Sequence, residues 1–203
     1  MMKQTLIALS VFAAGIDAAH ASDFSYNYVQ GTYSQTETDV DDDSVDIDGL
    51  NLTGSFELGD HFFVLVDIGR AEGSERLFGV DVDTEVDSRS LGLGFHTALT
   101  DRLDLVASLS RAEADINIDI EGVGELDGDA DANLLSVGLR GMATESLELF
   151  GNAVYVDGDD DSDTQLNVGA LYQFNPSFGV GMSFTTADDS DADTTAVFAR
   201  VNF

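Results

Sequence analysis

The sequence has no cysteine, a single proline, three histidines and only one lysine, Lys3. Without cysteine there is no disulfide framework, no thiolate metal site and no cysteine nucleophile. Eight basic residues stand against 39 acidic ones, a net charge of −31, and this excludes the basic footprint on which nucleic-acid binding depends. Past residue 21 there is also no run of about 20 apolar residues, so no segment reads as a membrane-spanning helix. Yet 43% of the residues are hydrophobic and strongly patterned, which sets the chain apart from a disordered acidic polymer.

The first 21 residues read as a removable export leader. Lys3 supplies the positive start, Thr5 to Ile16 an apolar stretch too short to span a membrane, and Ala19-His20-Ala21 a small-residue cleavage site. The expected mature domain is 22–203. Within it apolar and polar residues alternate: in 50–58, Leu50, Leu52, Gly54, Phe56 and Leu58 share one parity, and Asn51, Thr53, Ser55 and Glu57 the other. A period of two puts the sets on opposite faces of a strand.

Ten such segments are predicted as membrane strands: 24–35, 49–58, 61–70, 89–99, 103–111, 133–143, 147–156, 164–174, 178–186 and 194–203. Short turns (Gly59-Asp60, Thr100-Asp101-Arg102, Thr144-Glu145-Ser146, Asn175-Pro176-Ser177) alternate with long connections at 36–48, 71–88, 112–132, 157–163 and 187–193. A strand of about ten residues tilted by about 45° crosses an outer-membrane apolar band, and backbone pairing in lipid must close on itself. The expected fold is therefore all-β: a transmembrane antiparallel up-and-down β-barrel of ten strands, with eight as the alternative if the glycine-rich 178–186 and its neighbour are misread. Its turns would face the periplasm and its long connections the outside. Parity assigns Phe62, Val64, Val66 and Ile68, and likewise Leu91, Leu93 and Phe95, to the lipid face, with Phe56, Tyr172, Phe174, Phe178 and Phe203 in an aromatic girdle at the turn end. The first strand is ambiguous, because Tyr26 and Tyr28 oppose Val29, Gly31 and Tyr33.

The cleavage site, the opening Phe24-Ser25-Tyr26-Asn27-Tyr28-Val29, the run Ser90-Leu91-Gly92-Leu93-Gly94-Phe95-His96 and the ending Val197 to Phe203 resemble the small outer-membrane β-barrel proteins of Gram-negative bacteria, some of them discussed in connection with diffusible-signal regulation. The resemblance spans the mature chain and implies a fold and an outer-membrane location rather than an activity. It also implies that Val201 and the terminal Phe203 form the signal read by the outer-membrane assembly machinery. A monomer is expected.

Three sets of residues are candidates for function. Arg70, Arg89 and Arg111 fall on the outward parity at the outer edge of three adjacent strands, where arginine can bind the phosphates of lipopolysaccharide; the alternative is snorkelling with pairing to Glu72 and Glu113. Glu57, Asp67, Asp104 and Glu148 share the inward parity with His96, Arg140 and Arg200. They are expected to fill a narrow lumen as an ion-pair network in which each arginine serves two acids, the rival being a selectivity lining for a small-solute pore. The acidic runs, above all Asp157, Asp159, Asp161 and Asp163, offer oxygen ligands for weak Ca²⁺ or Mg²⁺ binding, but lack the twelve-residue spacing of a strong calcium loop. No other cofactor is expected. Enzymatic barrels of this class depend on a rim histidine; His20 is in the leader, His61 at a turn and His96 low in the barrel, so no catalytic residue is assigned.

Alternation also continues past the membrane edge with its sense reversed. Val45, Ile47, Val80, Val82, Val86, Ile116, Ile118 and Ile120 fall inward, and Asp46, Asp48, Asp81, Asp83, Glu85, Asp87, Asp115, Asp119 and Glu121 outward. This predicts strand extensions above the membrane with a dry inner core and an acidic wall, a closed cap. The functional expectation is a non-enzymatic barrel acting in envelope integrity, adhesion or surface recognition, with a narrow pore as the alternative.

Overall fold

The structure, a computed structural model, describes residues 25–40, 43–77, 80–158, 161–188 and 192–203; the expected leader, Phe24 and Asp159 lie outside them. Ten strands follow in order: β1 (Tyr28–Val40), β2 (Asp43–Leu58), β3 (Phe62–Leu77), β4 (Val80–Thr100), β5 (Leu103–Ile120), β6 (Gly124–Met142), β7 (Leu147–Gly158), β8 (Ser162–Asn175), β9 (Phe178–Ala187) and β10 (Ala192–Asn202). Each pairs with its sequence neighbours, and β1 closes on β10 through Tyr28↔Asn202 to Thr38↔Ala192. The eight-strand alternative is excluded because the glycine-rich β9 pairs along its length with both β8 and β10.

Parity sorts the side chains as the medium requires. Phe62, Val66, Ile68, Leu91, Leu93, Leu135, Val168, Met182 and Val201 stand exposed on the outer surface, as expected of a lipid face. The girdle is continuous in places: Phe56 meets Phe203 at 5.9 Å between ring centroids, Phe62 meets Phe95 at 5.5 Å, and Tyr172, Phe174 and Phe178 form a row. The ambiguous first strand is resolved by burial. Tyr26 and Tyr28 point into the lumen, and Val29 and Tyr33 out.

The strand extensions expected above the membrane are present: much of the long connections at 36–48, 71–88 and 112–132 is strand, with pairing that persists to Val40↔Asp43, Leu77↔Val80 and Ile120↔Gly124. The closed cap expected of them is not: the rise is one-sided, since β7 to β10 end at Gly158, Ser162, Ala187 and Ala192, while β3 to β6 project beyond them as a four-stranded wall. The dry core occupies only the lower part of this wall, where Ile47, Ala71, Val86 and Ala114 pack together with Ile116. Higher up, Val82, Ile118 and Ile120 are half-buried and Leu126 is exposed, so the inner face is not capped to its tip. The side chains of Val45 and Val80 lie outside the described residues.

The lumen has two unlike walls. On the side of β3 and β5 to β7 an apolar seam runs through Phe63, Leu65, Val106, Ala112, Leu134, Val154 and Val156. Facing it, β1, β2 and β8 to β10 present buried Gln30, Thr32, Thr36, Thr53, Gln165, Asn167, Thr185 and Thr194. Large rings fit because each lies over a glycine directly opposite it on the next strand: Phe63 over Gly94, Phe150 over Gly169 and Phe198 over Gly181. A Cβ at Gly94 would overlap the Phe63 ring, so this pairing is a steric lock, an aromatic ring covering the backbone that glycine leaves open. Gly94→Val is therefore expected to destabilise the barrel by about 1–3 kcal/mol in urea unfolding from lipid vesicles. Adding Phe63→Ala to it should cost less than the sum of the two single changes.

Candidate functional site

The inward charges gather at the turn end of the lumen. β6 and β7 leave the turn at 143–146 with Arg140 and Glu148 on the inward parity, close across the hairpin. Arg140 grips Glu148 through two parallel hydrogen bonds, from Nε to Oε1 and from Nη2 to Oε2 at 2.7 Å, and both side chains are sealed from solvent at 2% and 0% exposure. Gln173 Nε2 adds a third donor to Glu148 at 3.5 Å. Asp104 sits opposite Arg140 in register on β5, fully buried, and its two oxygens accept no hydrogen bond from the described residues. One arginine thus faces two acids, one bonded and one held by charge alone.

The second arginine departs from the expectation. Arg200 donates from Nε and Nη2 to the amide oxygen of Gln30 at 2.9 and 2.7 Å, and its guanidinium stacks 4.3 Å from the Tyr28 centroid and 5.7 Å from that of Phe198. An aromatic cage and a neutral amide thus hold this guanidinium. Asp67 likewise takes its bonds from hydroxyls, Thr53 at 2.6 Å and Ser90 at 3.2 Å. Glu57 is not luminal. It is exposed at the turn end, its backbone N–H donating to Asn27 at 3.0 Å. His96 is buried against Tyr26, ring centroids 3.8 Å apart, with His61 5.9 Å away, all far from the wall.

At the rim the three arginines form a staircase. Arg70 on β3 binds Asp87 on β4 through Nε and Nη2 at 2.8 and 2.7 Å and reaches Glu85 at 3.2 Å. Arg89 on β4 binds Glu113 on β5 at 2.8 Å, with Asp115 at 3.6 Å. Arg111 on β5 binds Asp131 and approaches Asn133 on β6. Each step moves two residues toward the turn end per strand, in the direction of the strand tilt, so the three lie at about one height. The hydrogen bond from Arg70 holds the Asp87 carboxyl below the usual carboxylate range. Glu113 is the partner expected for snorkelling; Glu72 is replaced by Asp87 and Glu85.

Above the staircase the outer face of the wall is acidic in every row. Asp87, Asp115 and Asp129 are opposite one another on successive strands, as are Asp83, Asp119 and Glu125, while Glu85 and Asp127 flank Asn117. Like charges directly opposite repel, and only a few local donors intervene, such as Ser74 to Asp83 at 2.5 Å and Asn117 to Asp127 at 2.9 Å. A shallow depression of about 330 Å³ lies among Glu85, Asp115, Asp127 and Asp129. The acidic run proposed for cations does not converge: Asp157 and Asp161 are exposed, Asp163 is buried at 1% on the inward face, and Asp159 lies outside the described residues. Among the described residues no three His, Asp or Glu side chains are placed to hold a metal ion.

Sequence reasoning missed the aromatic contribution to the lumen: Tyr26, Tyr28, Phe63, Phe150 and Phe198, with Gln30 as an arginine partner. Inward parity was their available signal. Which glycine lies across from which ring depends on register, which one strand's sequence does not carry. Breaking the luminal pair tests its energetics. Arg140→Leu, which strands a buried carboxylate, is expected to cost about 3–5 kcal/mol, whereas Arg140→Met with Glu148→Leu should be nearly neutral, both by urea unfolding in lipid. Arg89→Ala, at a solvated pair, should leave the unfolding midpoint in detergent unchanged.

No curated protein matches the chain. Among the solved structures that the chain resembles, the following three align over nearly all of their own length. The transport unit of the autotransporter AIDA-I from Escherichia coli is 8% identical, with 97% of this chain and 96% of that chain covered and a TM-score of 0.57. The translocator domain of the autotransporter NalP from Neisseria meningitidis is 10% identical, with 100% and 95% covered and a TM-score of 0.50. The KdgM porin in complex with disordered oligogalacturonate is 9% identical, with 87% and 99% covered and a TM-score of 0.51. At such identities the likeness is one of fold. The model of the outer membrane protein beta-barrel domain matches residues 5–203, and the chain belongs to that family.

Proposed function

We propose that this protein is a non-enzymatic, closed barrel of the Gram-negative outer membrane whose acidic wall, standing outside the cell, acts in surface recognition and envelope integrity. One observation carries the reading: the lumen is filled with side chains. Tyr28, Gln30, Phe63, Leu65, Leu134, Glu148, Leu171 and Arg200, from six of the ten strands, are each less than 2% exposed. A pore needs a wetted path, and rings locked over glycines with a bonded Arg140–Glu148 pair at the turn end oppose one.

Export by the leader and insertion through the Val201 to Phe203 ending are part of the same proposal, as is a monomeric state. The arginine staircase supports contact with lipopolysaccharide: Arg70, Arg89 and Arg111 stand where lipid gives way to water, and guanidinium donors left free by one carboxylate can reach a phosphate. Weak Ca²⁺ or Mg²⁺ could bridge those phosphates to the acids above. Catalysis has no support from histidine, since His61 and His96 both sit at the turn end. Purified protein in planar bilayers is expected to show no steady single-channel conductance; a reproducible conductance would overturn the closed-lumen reading in favour of a narrow pore.

A further inference from the structure

We propose that the free edge of β6 over residues 124–131 is a strand-addition site for a cationic extended peptide. This rests on the surface-recognition reading above and names the partner class. β6 pairs with β5 from Gly124↔Ile120 onward, but its pairing with β7 begins only at Ala132↔Gly158. Among the described residues, the stretch 124–131 therefore has a strand on one side only. Its outward-pointing N–H and C=O groups are a template for one more antiparallel or parallel strand.

Charge decides the occupant. Glu125, Asp127, Asp129 and Asp131 all face outward along this edge, backed by Asp119, Asp115 and Glu113 on β5. A second copy would bring one acidic row against another, so the same residues that block self-association select a strand of opposite sign. The inner parity of the edge is different in kind. Leu126 is exposed, and a Cβ at Gly128 would meet nothing within 4 Å. An incoming strand with Lys or Arg at alternate positions and small apolar residues between them would match both faces, its cations over the acids and its apolar side chains over Leu126 and Gly128.

The test uses the full-length folded protein in lipid nanodiscs and three peptides of about nine residues: alternating lysine and valine, the same sequence with alternate amides N-methylated, and the same composition with its lysines in one block. The alternating peptide is expected to bind and to slow hydrogen exchange of amides within 124–131. N-methylation, which removes the backbone donors but no charge, should weaken binding at least about tenfold, as should the triple change Glu125→Gln, Asp127→Asn and Asp129→Asn. The triple variant relieves repulsion and should fold, which unchanged circular dichroism and gel mobility would verify. Equal binding of all three peptides, protection outside β6, or no binding at all would each overturn the site. A silent bilayer without peptide binding defeats only this inference, and a conducting barrel with a protected β6 edge defeats only the closed lumen.

Discussion

Everything in this protein depends on the requirement that each backbone N–H and C=O in the hydrocarbon find a partner within the sheet. Lipid offers no hydrogen bonds, so the strands pair on both sides until β1 meets β10. Closure then fixes which residues share the lumen, and there the packing problem becomes that of a small soluble core. The chain solves it with rings over glycines on three hairpins and with the buried Arg140–Glu148 pair, rather than with the wholly polar filling that parity alone suggested.

Where lipid ends, that constraint relaxes. Water can satisfy an unpaired edge, and β3 to β6 continue as a wall with open sides while β7 to β10 stop. The side-chain code reverses at the same height because the outer medium changes: Ile68 and Leu91 face lipid, Asp87 and Asp115 face water, and the arginines stand between. The staircase is thus a boundary marker as well as a charge pattern, each guanidinium tied to a carboxylate on the next strand. The repulsion stored in the acidic rows above it is tolerable because these groups are solvated.

Alternation in single segments was enough to read the ten strands, the lipid face, the aromatic girdle and the reversal above the membrane. Residues such as Phe62, Leu93 and Val86 reveal their side by parity, a local property. The luminal partners were legible only in part. Arg140 and Glu148 flank one short turn and could be placed together, but Arg200 and Gln30 are 170 positions apart and meet only because the barrel closes. Asp67 was assigned an arginine it does not need, since Thr53 and Ser90 reach it through register.

By itself, then, the sequence determined the period, the sidedness and the charge balance, since each follows from the residue types within a strand and the medium they meet. The tertiary structure decided which walls face each other, which glycine admits which ring, how high each strand rises and where pairing stops on β6. Those depend on register and shear, set by all ten strands at once and written in no single one of them.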